Sequence, residues 1–423
     1  MGVARRSGVA WQVPALVVLA VAAFIAHYEY RLRNHFFDLM IYRDAMRWWV
    51  GGHPLYDYTQ PNATQGQLGY TYPPFAAVVM RPLAWLTPIA TEWVYSVIAI
   101  ACYAAAIWWL VRPIARRRGW PVWFTYGLAL ILATGLEPIR LSYDFGQINP
   151  LLWALIVFDL AVLLPRGSRF VGIGIGLATA IKLVPGVFIV YLLLTRRWRA
   201  AAVSAATTGL ATVLTALFMP HDSMVFWTDK LLHGAGVGQV AYPMNQSLEG
   251  LLARNGLQDS RVLWIVLAIV VLGYGLIRAA RAGLAGDELT AMALTGFVGS
   301  LLSPISWVHH LFWFVPAILA LVDTSATGAD GRSASSRAAG TLSGLRYRPA
   351  LIVAAFLTYA TVTFSMIQWW DFTLLRPGGA VGFVLSNWLV LLMLVLMPLL
   401  PIQDRRSRCR VDVRRLTLET VAR

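Results

Sequence analysis

Charge-free apolar stretches recur along this 423-residue chain, and they limit its possible folds more than any other feature. A helix that crosses a bilayer needs about 20 mostly apolar residues, because its backbone polar groups find no water there. Trp11–Tyr28, Trp93–Val111, Trp120–Leu136, Ala200–His221, Val262–Ile277, Ala350–Trp370 and Pro377–Gln403 are such runs. Leu289–Val322 is too long for one helix and divides at Ser303-Pro304; Ile148–Leu164 is a further span with Asp159 near one end. Only 13% of residues are charged and 58% are hydrophobic. Ordinary soluble domains carry about 25% charged residues, so a water-soluble enzyme is excluded. The expected fold is an all-α polytopic membrane protein with roughly 10–12 spans. No A-x-A-like cleavage site follows the first run, which reads as a retained helix.

Two regions are irregular. Tyr72–Ala90 contains Pro73, Pro74, Pro82 and Pro88, which permits only a kinked or partial helix. Phe170–Thr195 has Lys182 and Pro185 at its middle; a charge there must face protein or water, so two half-helices meeting at a turn are expected.

The formal net charge of +15 raises the question of nucleic acid. The basic residues, however, sit in short clusters between apolar runs, as membrane-flanking charges do, and no nucleic-acid partner is inferred. Arg5/Arg6, Arg112/Arg116/Arg117/Arg118, Arg166/Arg169, Arg196/Arg197/Arg199, Arg278/Arg281, the 323–349 loop and the 404–423 tail are assigned to the cytoplasm by the positive-inside rule. A fully crossing Tyr72–Ala90 would put Arg116–Arg118 outside, so a re-entrant segment is favoured. Residues 1–403 read as one transmembrane domain, with 323–349 a flexible Ser/Gly/Ala/Arg linker and 404–423 a basic tail. Two cysteines, Cys102 and Cys409, exclude a disulfide framework.

Unusual chemistry gathers opposite the basic face. Six of the seven histidines lie there, with Asp38, Asp44, Asp57, Asp144, Asp222, Asp229 and Glu249. The first loop, from Phe36 to Trp49, has an apolar helical stripe with Arg43, Asp44 and Arg47 on another face, which suits an amphipathic helix in the interface plane. Asp38 near its start is either a cap for amide groups or a general base facing a cavity, while Asp44 pairs locally with Arg43 or Arg47. Gly146-Gln147-Ile148-Asn149-Pro150 sets two amides at the mouth of a helix, after Arg140 and Asp144. Asn245-Gln246-Ser247 has the same character; amides both donate and accept, and so suit hydroxyl-rich ligands or helix caps alike. Ser303-Pro304-Ile305-Ser306-Trp307-Val308-His309-His310 brings adjacent imidazoles to a broken helix, about 100° apart, so one faces the site while the other packs. No H-x-x-x-H or HExxH spacing supports a metal. Lys182 needs an anion, either an acidic side chain or a ligand phosphate. Gly172, Gly174 and Gly176 suit close helix packing, and no P-loop or Rossmann fingerprint is present.

Taken in order, Asp38-Leu39-x-x-Tyr42, Gly52-x-x-Leu55-Tyr56, Tyr72-Pro73-Pro74, Gly146-Gln147-x-Asn149, Ile181-Lys182-x-x-Pro185, Asn245-Gln246-Ser247-Leu248 and Ser303-Pro304-x-Ser306-Trp307-x-His309-His310 resemble the actinobacterial polyprenol-phosphate-mannose-dependent α-1,2-mannosyltransferases. These belong to the GT-C superfamily, and the resemblance covers about residues 13–403. It implies a GT-C-type helical bundle in the plasma membrane with its active site facing the periplasm. The implied donor is polyprenyl-phosphate-mannose and the acceptor a mannosylated glycolipid or lipoglycan, joined by inverting transfer. The family's acidic residue maps onto Asp38 and its histidine onto His309 or His310, with His310 preferred. Lys182 and Arg140 are then expected at the donor phosphate, and Tyr42, Tyr72, Gln147, Asn149, Asn245, Gln246 and Trp307 at the substrates. A monophosphate leaving group can be met by Lys, Arg and His, so neither metal nor cofactor is expected. The alternatives are a lipid-linked arabinofuranosyltransferase on the same scaffold, or a transporter, which would call for paired repeats that the sequence lacks.

Overall fold

A computed structural model describes residues 11–31, 36–62, 66–231, 238–325, 343–364 and 379–405. Arg5, Arg6, His35, His233 and most of the 323–349 and 404–423 segments lie outside them.

The described chain is helical almost throughout, and the protein is an all-α polytopic membrane protein. In order come α1 (Gln12–Arg31), α2 (Phe37–Val50), α3 (Pro74–Met80), α4 (Pro88–Arg118), α5 (Val122–Gly135), α6 (Glu137–Phe145), α7 (Asn149–Val157), α8 (Ile173–Ile181) and α9 (Val187–Leu194). Then follow α10 (Trp198–Phe218), α11 (Pro220–Val225), α12 (Leu248–Arg254), α13 (Arg261–Leu284), α14 (Glu288–Leu302), α15 (Phe314–Ser325), α16 (Ser343–Thr363), α17 (Gly379–Ser386) and α18 (Trp388–Leu399). By length and apolarity α4, α10 and α13 can each cross a bilayer, and the bent pairs α5–α6 (69°) and α17–α18 (74°) qualify as pairs. Phe218, Val262 and Leu217 turn their side chains outward, as lipid-facing residues do. A small antiparallel hairpin in the first loop, Thr59–Asn62 with Gly66–Gly69, was not anticipated.

Close packing of α8 depends on its glycines. A Cβ on Gly174 would lie 2.5 Å from Leu155 O, and one on Gly176 would lie 2.6 Å from Ser204 O, so bare backbone is what lets α8 seat between its neighbours. Asp159, in a π-helical turn (Phe158–Leu163), accepts from Ile175 N at 2.8 Å and caps the start of α8. At its other end α8 stops where Lys182 turns extended (φ −150°, ψ 128°), and a short 3-10 turn, Val184–Gly186, leads into α9. These are the two half-helices expected around Lys182 and Pro185.

One span differs from expectation and one irregular segment agrees with it. Pro377–Gln403, read as one run, bends by 74° between α17 and α18. Asn387 at the break donates to Phe383 O (2.8 Å), and Gln246 Oε1 accepts from Leu389 and Val390 N, both at 3.1 Å, so a side chain from another loop satisfies the amides that the bend releases. In the second case α3 has seven residues before a 3-10 turn, Arg81–Trp85; at 1.5 Å per residue it extends about 10 Å, too short to cross. The C-terminal end of α4 therefore shares a face with the chain beyond α18. There the buried Asp323 carboxylate accepts from Arg117 (3.0 Å), Arg118 (2.9 Å) and Arg405 (2.6 Å). Two basic segments, the end of α4 and the chain after α18, therefore meet at Asp323 on one face.

Asp323→Ala leaves this arginine cluster without its shared anion and is expected to cost about 3–5 kcal/mol. The half-exposed Arg117, removed alone, is expected to cost at most about 1 kcal/mol. Thermal unfolding in detergent checks the ranking, and equal shifts would contradict it.

Candidate active site

The site begins with a strained residue. Phe36, just before α2, has φ 53° and ψ 40°, a left-handed conformation that is costly for a non-glycine residue. Its N–H donates to Asp144 O at 2.9 Å, and its ring meets Tyr95 and Tyr143 edge-on at 5.8 and 5.7 Å. This packing sets the direction of α2, whose Leu39, Ile41, Tyr42, Ala45 and Met46 are buried while Asp44 pairs with Arg43 at 2.7 Å. Asp38, on the first turn, is not a cap, since no side chain caps this helix. Its carboxylate accepts instead from Gln147 Nε2 at 2.5 Å.

Gln147 is delivered by the turn between α6 and α7. Gly146 has φ 74°, and a Cβ there would lie 2.4 Å from Leu39 Cβ, so only glycine lets α2 pack on this turn. The turn points Gln147 and Asn149 at two halves of one site. Gln147 Oε1 accepts from the Tyr42 (3.0 Å) and Tyr72 (3.1 Å) hydroxyls, which are themselves 2.9 Å apart. Asn149 Oδ1 accepts from Lys182 Nζ at 3.2 Å, and its Nδ2 donates to His309 O at 3.1 Å. Lys182 Nζ lies 3.0 Å from His310 Nε2 and 5.3 Å from the Tyr72 ring centre. An ammonium only donates, so charged Lys182 requires a lone pair on Nε2, leaving the His310 proton on Nδ1. The His309 ring is packed between Phe145 (5.4 Å) and His310 (4.7 Å), with neither nitrogen hydrogen-bonded.

The structure thus brings together Asp38, Tyr42, Tyr72, Gln147, Asn149, Lys182, His309 and His310. Three expected residues fall elsewhere. Asn245 and Gln246 are fully buried. Asn245 Nδ2 donates to Val240 O (2.9 Å) and Pro304 O (3.1 Å), and its Oδ1 accepts from Ser306 N at 2.8 Å. Gln246 Nε2 donates to Pro243 O (2.6 Å) and Ser386 O (3.0 Å), while its Oε1 caps α18. These amides hold the broken helices rather than a sugar, because broken helices release backbone groups that must be paired. Arg140 is the third: its guanidinium donates to Gly135 O (3.3 Å) and Thr363 O (3.5 Å), at the α5–α6 bend. Trp307 bridges Asn245 through its backbone, and its partly exposed ring stands 6.2 Å from Tyr242.

Sequence reasoning missed three positioning residues. Tyr56 donates to Tyr72 O at 2.7 Å, and Asp222 accepts from Leu55 N at 3.0 Å, so together they fix the loop that presents Tyr72. Tyr56 was visible within the Gly52-x-x-Leu55-Tyr56 motif. Arg254 joins Asn387 Oδ1 (2.7 Å) to Asn245 O (2.8 Å), and no local pattern marks it. Among the described residues no group of three His, Cys, Asp or Glu gathers that could hold a metal ion.

Electrostatics separates the two ends of the network. Burial pushes Asp38, on the first turn of α2, up to about 6, against the downward pull of the Gln147 hydrogen bond and the Lys182 charge. A carboxylate with that affinity can take a proton near neutrality, and the Lys182–His310 pair can meet an anion. Beside that pair a cavity of about 50 Å³ is lined by Ser300, Ser303 and Ser306 and by the aromatic rings of Trp153, Phe188 and Trp313.

A carboxylate and a lysine–imidazole pair are thus joined through amides and phenols inside a helical membrane bundle. The chain belongs to glycosyltransferase family 87, whose profile matches residues 70–304. It is 32% identical over 337 residues, 74% of this chain and 75% of the relative, to a polyprenol-phosphate-mannose-dependent alpha-(1-2)-phosphatidylinositol mannoside mannosyltransferase of Mycolicibacterium smegmatis. It is 36% identical over 319 residues, 73% of this chain and 71% of the relative, to the corresponding phosphatidylinositol pentamannoside mannosyltransferase of Mycobacterium tuberculosis. A Mycobacterium tuberculosis alpha-(1->3)-arabinofuranosyltransferase is 28% identical over 239 residues, 55% of this chain and 51% of the relative. No solved structure matches significantly.

Gln147→Leu removes a bond that lowers the Asp38 proton affinity, so its midpoint is expected to rise above about 6. Infrared titration of the carboxyl band reads it, and a downward shift would contradict the assignment.

Proposed function

We propose that this glycosyltransferase moves mannose from polyprenyl-phosphate-mannose to a hydroxyl of a phosphatidylinositol-mannoside-type glycolipid, forming an α-1,2 linkage with inversion. The observation that carries this is the continuous path from Asp38 through Gln147 and Tyr72 to Lys182 and His310, supported by the names of its relatives. In this scheme Asp38 takes the proton of the acceptor hydroxyl as that oxygen attacks mannose C1. The bond from C1 to the phosphate oxygen breaks on the opposite side. Charge then grows on the departing polyprenyl phosphate, where the Lys182 ammonium and the His310 N–H stabilise it. The serine rim and aromatic wall beside Lys182 suit a phosphate whose tail stays in lipid. Tyr42, Tyr72, Gln147 and Asn149 orient the sugar hydroxyls, and Trp307 offers a ring face.

The basic face, with Arg117, Arg118 and Arg405, is assigned to the cytoplasm, which turns the site outward from the plasma membrane. Residues 1–403 act as one catalytic domain with 404–423 as a basic tail. An arabinofuranosyl donor is the second possibility, favoured only by the weaker relative; parallel assays with each lipid-linked sugar decide it.

Purified protein with radiolabelled polyprenyl-phosphate-mannose and extracted glycolipids is expected to yield mannosylated product. Asp38→Asn is expected to reduce turnover at least about 10²-fold while donor binding persists; near-normal turnover removes Asp38 from this role. Because Asp38 acts as a carboxylate and burial raises it to about 6, activity is expected to climb as pH rises through about 6 and to be lost below it. Lys182→Ala is expected to weaken the donor about 10–100-fold, the scale of one charge-assisted hydrogen bond, with less effect on the acceptor. Complete, metal-reversible inhibition by a chelator would overturn the metal-free scheme.

A further inference from the structure

A cavity of about 460 Å³ lies away from the Lys182 pocket, between α1, α4, α5, α15 and α16. Its lining is almost wholly apolar; Ile114, Trp120, Leu128, Leu132, Ile318 and Val322 are typical. It runs from Trp120, beside the basic end of α4, to Leu136, where α6 begins. That is the length of the 14-residue α5, about 21 Å at 1.5 Å per residue. One leaflet of a hydrocarbon core is about 15 Å deep, so the cavity has the length and lining for one alkyl chain.

A cation lies near the Leu136 end of this cavity. The Tyr359 hydroxyl donates to Leu132 O at 3.0 Å, and a Cβ on Gly135 would lie 2.7 Å from it. Arg140 donates to Gly135 O and to Thr363 O, one turn beyond Tyr359. These contacts set its guanidinium next to the Leu136 and Tyr359 end of the apolar cavity, and an arginine fork matches a phosphate bidentately. Arg140 and Asp144 are one turn apart on α6, and Asp144 O holds the Phe36 N–H two residues before Asp38. A glycan rising from a phosphate on Arg140 would lead toward Asp38, while the donor phosphate is held separately at Lys182 and His310.

We propose that Arg140 and this cavity seat the lipid acceptor: the guanidinium binds the phosphodiester of its glycerophospholipid anchor, and one alkyl chain fills the cavity. The inference rests on the mannosyl transfer proposed above and assigns Arg140 to the acceptor rather than the donor.

The test uses the full chain in nanodiscs with two acceptors, a phosphatidylinositol dimannoside and its deacylated glycerophospho form. Arg140→Ala is expected to raise the acceptor KM about tenfold for both forms, with donor KM unchanged and partial rescue by Arg140→Lys. Ala129→Phe, which fills the cavity, is expected to raise KM about tenfold for the acylated form alone. Native mass spectrometry should show about tenfold weaker binding of the acylated acceptor in Arg140→Ala and Ala129→Phe. An unchanged acceptor KM, a raised donor KM in Arg140→Ala, or an equal effect of Ala129→Phe on both acceptors overturns the proposal. Binding that weakens as expected, while wild-type protein transfers no mannose, strikes the functional reading and leaves the lipid seat standing.

Discussion

Lys182 is the charge around which this bundle is organised. An ammonium set between two half-helices inside apolar protein must find lone pairs or be expelled. It finds them on Asn149 and His310, and those two partners draw the mouth of α7 and the 303–310 turn into contact. Gln147, two residues from Asn149 on the same turn, reaches Asp38. Asn149 Nδ2, donating to His309 O at 3.1 Å, ties the same two segments a second time.

Each part of the site stands at an interruption of helical structure. Phe36 starts α2 in a strained conformation, Gly146 separates α6 from α7, Lys182 separates α8 from α9, and Pro304 follows the end of α14. Interruptions release amides and carbonyls that lipid cannot satisfy, so polar side chains are recruited beside them. Asn245 and Gln246 meet that need by pairing with the backbone. Asn149 does so in part, through His309 O, while also holding Lys182, and the Gln147 side-chain amide contacts only side chains. A polar side chain near a break can therefore serve structure or substrate, and its residue type does not reveal which.

The opposite face follows a different logic. Asp323, Asp287, Arg117, Arg118 and Arg405 tie helix ends together, and Arg197 pairs with Glu288. These contacts join carboxylates to arginines in mutual neutralisation, whereas the site face holds its carboxylate and its ammonium apart, bridged by neutral groups.

Much of this was legible in the chain alone. The apolar runs, the amphipathic helix bearing Asp38, the break around Lys182 and the end of a helix before Pro304 are local consequences of apolarity, periodicity and proline, which act within a few residues. The order of the motifs likewise marked Asp38, Gln147, Lys182 and the histidine pair. Tertiary structure alone decided which polar groups meet: that Gln147 binds Asp38, that Gln246 caps α18, that Arg140 stands at the α5–α6 bend, and that His310 rather than His309 contacts Lys182. The physical reason is that hydrogen bonds are satisfied pairwise and at long range. A residue's type states what it can donate or accept, and only the packed bundle states to whom.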